Sequence, residues 1–317
     1  MTHIFTRKRV VVIAIVAAFV AVFAGIGLVS KSTPAVAVGG ASGGVPYLPW
    51  YWAMVVSPTD PNVLVLSTNN GVYRSSDGGK KWQLTGLKGV NVTSLVQATG
   101  SIFAGGGPLS STASPVIRKG ASRIASQGSG ALAVSTDEGK TWKDLHPRGL
   151  PNVTVQALAV DPTGSTTLYA LLNTAGLYRS TDGAQSFQLV SANLGVAPWA
   201  IAITQAGHFI AGDMDSGSHV SANGKAWQSA PFTDSNGGRM VMDYAVQPTD
   251  ATRVLMSSRG IEISTDGGKT WHVALSSTVM FGPVAWAPSK PGVAFAVGFD
   301  RSLWRSDNAG KNWKKLS

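Results

Sequence analysis

Carboxylates are the side chains best suited to chemistry in this 317-residue sequence, and they are scarce. Two are glutamates, Glu138 and Glu262, and four of the 14 aspartates recur at one place in a short motif. Asp213, Asp215, Asp243 and Asp300 stand outside it. A pair of such carboxylates, suitably separated and with one pKa raised, would cleave a glycosidic bond. Trp52, Gln156, Trp199, Tyr244, Arg259 and Arg301 offer binding chemistry, because aromatic platforms beside polar and charged groups suit a carbohydrate or a peptide. Cysteine is absent, which excludes disulfides, cysteine-based zinc sites and thiol nucleophiles. No histidine pair or carboxylate cluster has metal-ligand spacing. Gly105-Gly106-Gly107 lacks the Gly-Lys-Ser/Thr ending of a phosphate loop and reads as plain loop, so neither metal nor cofactor is expected.

The elements that must position these residues are set by a repeat. The pattern Ser-x-Asp-x-Gly-x-x-Trp occurs as Ser75–Trp82, Ser135–Trp142 and Ser264–Trp271. Variants begin at Ser180, with Phe187 in the Trp place, at Ser221, one residue short, and at Ser306. The acidic or amide position is filled in turn by Asp77, Asp137, Asp182, Asn223, Asp266 and Asn308. The gaps between leading serines are 60, 45, 41, 43 and 42 residues, and a period near 42 is the length of a four-stranded propeller blade. Asp or Asn accepts backbone N–H groups of its own turn, Gly allows positive φ, and Trp packs on neighbouring strands. Repetition of the box makes it a structural latch rather than a catalytic cluster.

These boxes resemble those of the Asp-box, or BNR-repeat, propellers, a group that includes sialidases, sortilin-type receptors, xyloglucan-cleaving enzymes and photosystem II assembly factors. The resemblance covers about residues 50–317 and implies a box between the third and fourth strands, on the face away from the usual ligand site. It also sets demands for sialidase activity: three arginines, a Tyr–Glu pair, an Asp acid/base and an Arg-Ile-Pro motif. That motif is missing, and Val116-Ile117-Arg118 is no substitute. Glu138 lies inside a box and Glu262 takes the strand position of Tyr73, so neither is placed for that chemistry. The repeat style is similar to the assembly-factor and sortilin-like branches, which implies a protein- or glycan-binding scaffold. A glycoside hydrolase is the alternative.

Short apolar strands precede each box (Gly71-Val72-Tyr73-Arg74, Gly176-Leu177-Tyr178-Arg179), and Pro-containing turns such as Ser57–Pro61 and Asp161–Gly164 give a second register. The expected fold is all-β, a six-bladed propeller of four-stranded antiparallel blades near 50–88, 89–147, 152–193, 196–233, 239–277 and 281–317. Ring closure needs no swapped strand unless Val45–Trp52 supplies one. Boxes and Pro-turns fall on one face. Asn69, Asn70, Asn173, Asp213, Asp215, Arg259, Asp300 and Arg301 fall on the other, with Trp52, Gln156, Trp199, Asp243 and Tyr244 on the inner wall. The long 60-residue gap places a Ser/Gly/Ala-rich insertion with Arg118, Lys119 and Arg123 on that loop-bearing face, a candidate docking loop.

The net charge of +10 falls to +6 without Arg7, Lys8, Arg9 and Lys31, which flank the N-terminal apolar run. Lys80, Lys81, Lys140, Lys269 and Lys311 recur within boxes, so they make a solvated rim, and no nucleic-acid partner is expected. Val10–Val29 is uncharged and long enough for an apolar helix across a bilayer, with the preceding basic cluster keeping the N-terminus inside. Residues 1–37 therefore read as a signal peptide or signal-anchor. The propeller is exported, either membrane-anchored or released by cleavage near Ala37. Residues 38–49 read as a flexible tether and the chain as a monomer.

Overall fold

A computed structural model of the chain describes residues 44–98, 100–108, 131–162, 166–204, 207–234 and 236–317. The expected N-terminal segment 1–37 with its helix 10–29, and Arg118, Lys119 and Arg123, lie outside the described residues. Among the described residues no helix is long and apolar enough to cross a membrane.

Six antiparallel four-stranded sheets are each built from one continuous stretch. Blade 1 has β1 (Tyr51–Val56), β2 (Leu64–Thr68), β3 (Gly71–Ser75) and β4 (Gln83–Gly86); blade 2 has β5 (Val90–Ala98), β6 (Ser101–Pro108), β7 (Ala131–Ser135) and β8 (Lys143–Leu145). Blade 3 has β9 (Val155–Val160), β10 (Leu168–Leu172), β11 (Gly176–Ser180) and β12 (Gln188–Ser191); blade 4 has β13 (Ala200–Ile203), β14 (Phe209–Gly212), β15 (Ser218–Ser221) and β16 (Gln228–Ala230). Blade 5 has β17 (Asp243–Gln247), β18 (Asp250–Ser258), β19 (Gly260–Ser264) and β20 (His272–Ser276); blade 6 has β21 (Phe281–Trp286), β22 (Ala294–Gly298), β23 (Leu303–Ser306) and β24 (Lys314–Lys315). The first strands of successive blades lie side by side, and β21 returns to β1, so the ring is closed.

The core lies between blades, and the two-residue strand period explains how one strand serves two neighbours. On β1, Ala53 and Val55 pack with Val90, Val92 and Leu95 of blade 2. Met54 and Val56, one residue out of phase, pack with Ala285, Val293 and Phe295 of blade 6. Each large apolar side chain buried in this way contributes about 1.5–3 kcal/mol.

The boxes are hairpins closed by their own side chains. Ser75 Oγ donates to Asp77 Oδ1 at 2.8 Å while accepting the Gly79 N–H, and Asp77 Oδ1 also accepts the Lys81 N–H. Asp137, Asp182 and Asp266 repeat the pattern, each adding a 2.6 Å hydroxyl bond from Thr141, Ser186 or Thr270. Asn223 and Asn308 keep the serine bond through Oδ1. The box glycine has a second reason to lack a Cβ. A Cβ on Gly79 would lie 2.1 Å from Leu303 of blade 6, and one on Gly268 2.7 Å from Ile210 of blade 4. Glu138 staples two blades: its Oε1 accepts the hydroxyls of Ser57 and Thr59 in the blade 1 Pro-turn.

Two expectations are corrected, and the ring closes without a swapped strand as expected. Gly105-Gly106-Gly107 is not loop but the continuation of β6, where missing side chains let Val155, Asn91 and Thr154 approach closely. Val45–Trp52 does not supply a swapped strand: β1 begins at Tyr51 and pairs within its own blade. Residues 44–49, the expected end of the tether, instead pack on the seam between blades 6 and 1. Val45 is fully buried there, Pro46 O accepts the Tyr51 hydroxyl, and Val45 O accepts Arg301 Nε and Nη2.

Candidate functional site

A channel of about 440 Å³ runs along the ring axis, lined by the first strand of every blade. Its Pro-turn end is marked by Pro58, Gly100, Pro248 and Pro288, and its other end by Trp52 and Trp199. Trp52 belongs to β1 of blade 1, and Trp199 immediately precedes β13 of blade 4, the blade opposite in a ring of six. Their rings are 5.7 Å apart and tilted by 50°, so they meet across the axis and close the mouth on the loop-bearing face. Trp50 stacks on Trp52 at 5.3 Å and 6°, and Phe299 meets Trp50 edge-on at 5.5 Å. Trp52 is fixed further by an Nε1–H bond to Asn91 Oδ1, 2.8 Å. The result is a partly exposed aromatic platform drawn from blades 1, 4 and 6.

Gln156 and Asp243 also line this channel. Asp243 Oδ1 accepts the Tyr244 N–H at 2.9 Å, and Oδ2 accepts the Val284 N–H of blade 6 at 3.3 Å. Desolvation in the wall outweighs these bonds and pushes its carboxyl up to about 8. Tyr244 contacts the channel too, but its phenol does not serve the lumen. The hydroxyl donates to Ser218 Oγ at 2.8 Å and the ring lies 5.8 Å from Trp271, in the core between blades 4 and 5.

The other carboxylates are engaged by their own turns between second and third strands. Asp213 Oδ1 accepts the N–H groups of Asp215, Ser216 and Gly217, and Oδ2 accepts Ser216 Oγ and His219 Nε2. Burial alone would raise this carboxyl, but the bonds from His219, Ser216 and the turn lower it to about 2. Ser216, His219 and Asp213 look like a nucleophile relay, yet Ser and Asp contact the same ring nitrogen, Nε2, at 3.0 and 3.1 Å. A relay needs the acid on the other nitrogen, so this is a turn lock. Asp300 Oδ1 holds the N–H and hydroxyl of Ser302, and Lys315 Nζ lies 3.6 Å from Oδ2. Arg301 reaches Val45 O and stacks over Tyr47 at 5.3 Å, which ties the seam. Asp215 and Arg259 are exposed on loops, and Asn69, Asn70 and Asn173 lie in the corresponding loops of blades 1 and 3.

Sequence reasoning missed Trp50, Phe299, Asn91 and His219. The run Trp50-Tyr51-Trp52 was a readable signal; the approach of Phe299 was not, because it crosses the seam. It also missed a buried acid pair away from the mouth. Glu262 on β19 takes both oxygens' bonds from Ser258 Oγ, 2.9 and 2.8 Å, and burial followed by repulsion from Asp234 raises it to about 7.

Fold and boxes together define a six-bladed Asp-box propeller. Residues 262–273 match the BNR/Asp-box repeat and residues 303–316 the BNR-Asp box repeat. Over 210 residues the chain is 26% identical to a xyloglucanase of Hypocrea jecorina (strain QM6a), which covers 59% of this chain and 23% of that protein. The chain thus spans under a quarter of the length of that curated relative. Among solved structures it is similar to YCF48 bound to D1 peptide, at 18% identity and TM-score 0.52 over 90% of this chain and 86% of that one. It is also similar to the GH74 xyloglucanase from Xanthomonas campestris, at 19% identity and TM-score 0.54, covering 87% and 46% respectively. At these identities the likeness is one of fold.

Proposed function

We propose that the chain is a non-catalytic, extracytoplasmic binding propeller that holds a protein or glycan partner at its tryptophan-closed mouth. The observation that carries this reading is the platform of Trp50, Trp52, Trp199 and Phe299, large rigid surface presented on the loop-bearing face. The basic residues before Val10–Val29 support export, with the propeller outside the membrane. The similar YCF48 structure has a peptide bound, which favours a protein partner.

One observation favours a glycoside hydrolase instead: Asp243 is held protonated at neutral pH, as a general acid requires. Against it, Asp213 and Asp300 are held by their own turns and are poor second carboxylates. The test uses the full-length chain against panels of short peptides and oligosaccharides, read by tryptophan fluorescence and by product release. Trp199→Ala is expected to weaken binding about tenfold or more, since an aromatic anchor at an interface centre is worth about 2 kcal/mol. Hydrolysis of any oligosaccharide that is lost in Asp243→Asn would replace the binding reading with the enzymatic one.

A further inference from the structure

Below the mouth, the channel wall carries one ionisable side chain. Asp243 is the only Asp, Glu, Lys, Arg or His among the described residues that line it. The carboxyl meets two backbone N–H groups and no cationic side chain, which leaves acceptor capacity in a channel whose other polar lining side chains are neutral.

The structural task of Asp243 does not need that charge. In blade 2, Ser94 holds the matching place: its Oγ accepts the Leu158 N–H of the next blade at 2.9 Å, as Asp243 accepts that of Val284. Box serines fix this register. Val56, Ile203 and Val246 are equivalent because they pair with Leu64, Phe209 and Val254, the partners of Ser75, Ser221 and Ser264. Counting back along β13 and β17, Asp243 stands one residue deeper than Trp199, while the bulge between Tyr51 and Met54 brings Trp52 to about the level of Asp243. A hydroxyl therefore makes the blade-to-blade link, and the carboxyl at 243 adds an ionisable group beside indoles whose faces attract cations. Trp52 is fastened by Asn91 and Trp50, whereas the Trp199 indole makes no hydrogen bond among the described residues, so it is the ring able to turn aside.

We infer that the mouth is built for a cationic group, the ammonium or guanidinium end of a Lys or Arg side chain on a protein partner, which passes Trp199 to reach Asp243. This rests on the mouth being the binding site and names the chemistry it selects. A neutral donor gains at most a hydrogen bond from the acid there, whereas a cation gains charge pairing as well.

The probes are n-butylammonium, n-butylguanidinium and the neutral isostere n-butanol. They are titrated into the full-length chain at about pH 8.5, where the ammonium is charged and the carboxylate ionises readily. Tryptophan fluorescence should report both cations and not butanol. Asp243→Ser, which keeps the link that Ser94 makes, should weaken the cations about tenfold or more without lowering the melting temperature, and Asp243→Asn should repeat the loss of binding. Equal binding of butanol, or cation binding unchanged in both variants, would overturn the inference. In parallel, Lys- and norleucine-containing versions of one bound peptide are compared. If Trp199→Ala weakens both while Asp243→Ser weakens neither, the cation inference fails and the mouth stands; if Trp199→Ala weakens neither, the mouth itself is wrong and the inference falls with it.

Discussion

Asp213 and Glu262 are both buried carboxylates held in opposite states, and the number of donors around each explains the difference. Asp213 receives three N–H groups and two side-chain donors, which overcome its burial and lower it to about 2. Glu262 receives one hydroxyl and faces Asp234, so burial prevails and raises it to about 7, as burial raises Asp243 to about 8. A carboxyl whose folded pKa lies above its unfolded value binds more protons when folded. Stability is then lost as pH rises between the two values, here from about 4 to about 8. Asp213 acts oppositely, and its contribution disappears as pH falls through its folded value. The melting temperature should therefore peak in mild acid and decline toward pH 8. Glu262→Gln should flatten that decline by on the order of 2 kcal/mol, and an unchanged slope would show that Glu262 ionises freely in the fold.

Within elements, the box hairpin separates two demands that a glycine can meet. Gly267 and Gly268 both have positive φ, +76° and +88°, but a Cβ at 267 would meet nothing within 4 Å, whereas one at 268 would meet Ile210 of blade 4 at 2.7 Å. Gly267→Ala should cost about 1 kcal/mol of backbone strain, and Gly268→Ala about 1–3 kcal/mol more for overpacking, read as the difference in denaturation midpoints. Equal losses would mean that the box does not press on the preceding blade. The boxes, the Pro-turns and the strands between them were readable because turn chemistry and alternation are local. Asp243 and Tyr244 both line the channel as expected, but adjacent strand residues face opposite sides, and the Tyr244 ring packs in the core between blades 4 and 5. Gly105–Gly107 misled for a different reason. Glycine normally signals a loop, but in β6 it makes room for Val155 and Thr154, residues some fifty positions away, which no local pattern displays.

For the whole molecule, what was illegible is what ring closure creates. Trp52 and Trp199 meet only because blades 1 and 4 face each other, and Phe299 reaches Tyr51 only because blade 6 returns to blade 1. That return uses no shared strand; it relies on Val45, Tyr51, Phe295 and Leu303 packing at the seam and on Arg301 holding Val45 O. A closure made of side-chain contacts, with both ends of the propeller beside it, is where the ring should open first. A Cβ built on Gly44 lies 4.0 Å from Ser317 Cβ, within the range a disulfide spans. The chain has no cysteine, so Gly44→Cys with Ser317→Cys offers one pairing only. The cross-link closes nearly the whole propeller into a loop, for which chain entropy alone favours the oxidised form by about 5–6 kcal/mol, less the strain of a side chain at the positive φ of Gly44, +142°. Oxidised protein should melt several degrees above the same protein reduced, with slower hydrogen exchange in β1 and β21. An oxidised form that melts no higher, with exchange at the seam unchanged, would mean that the ring opens between other blades and that the side-chain seam is as firm as the rest.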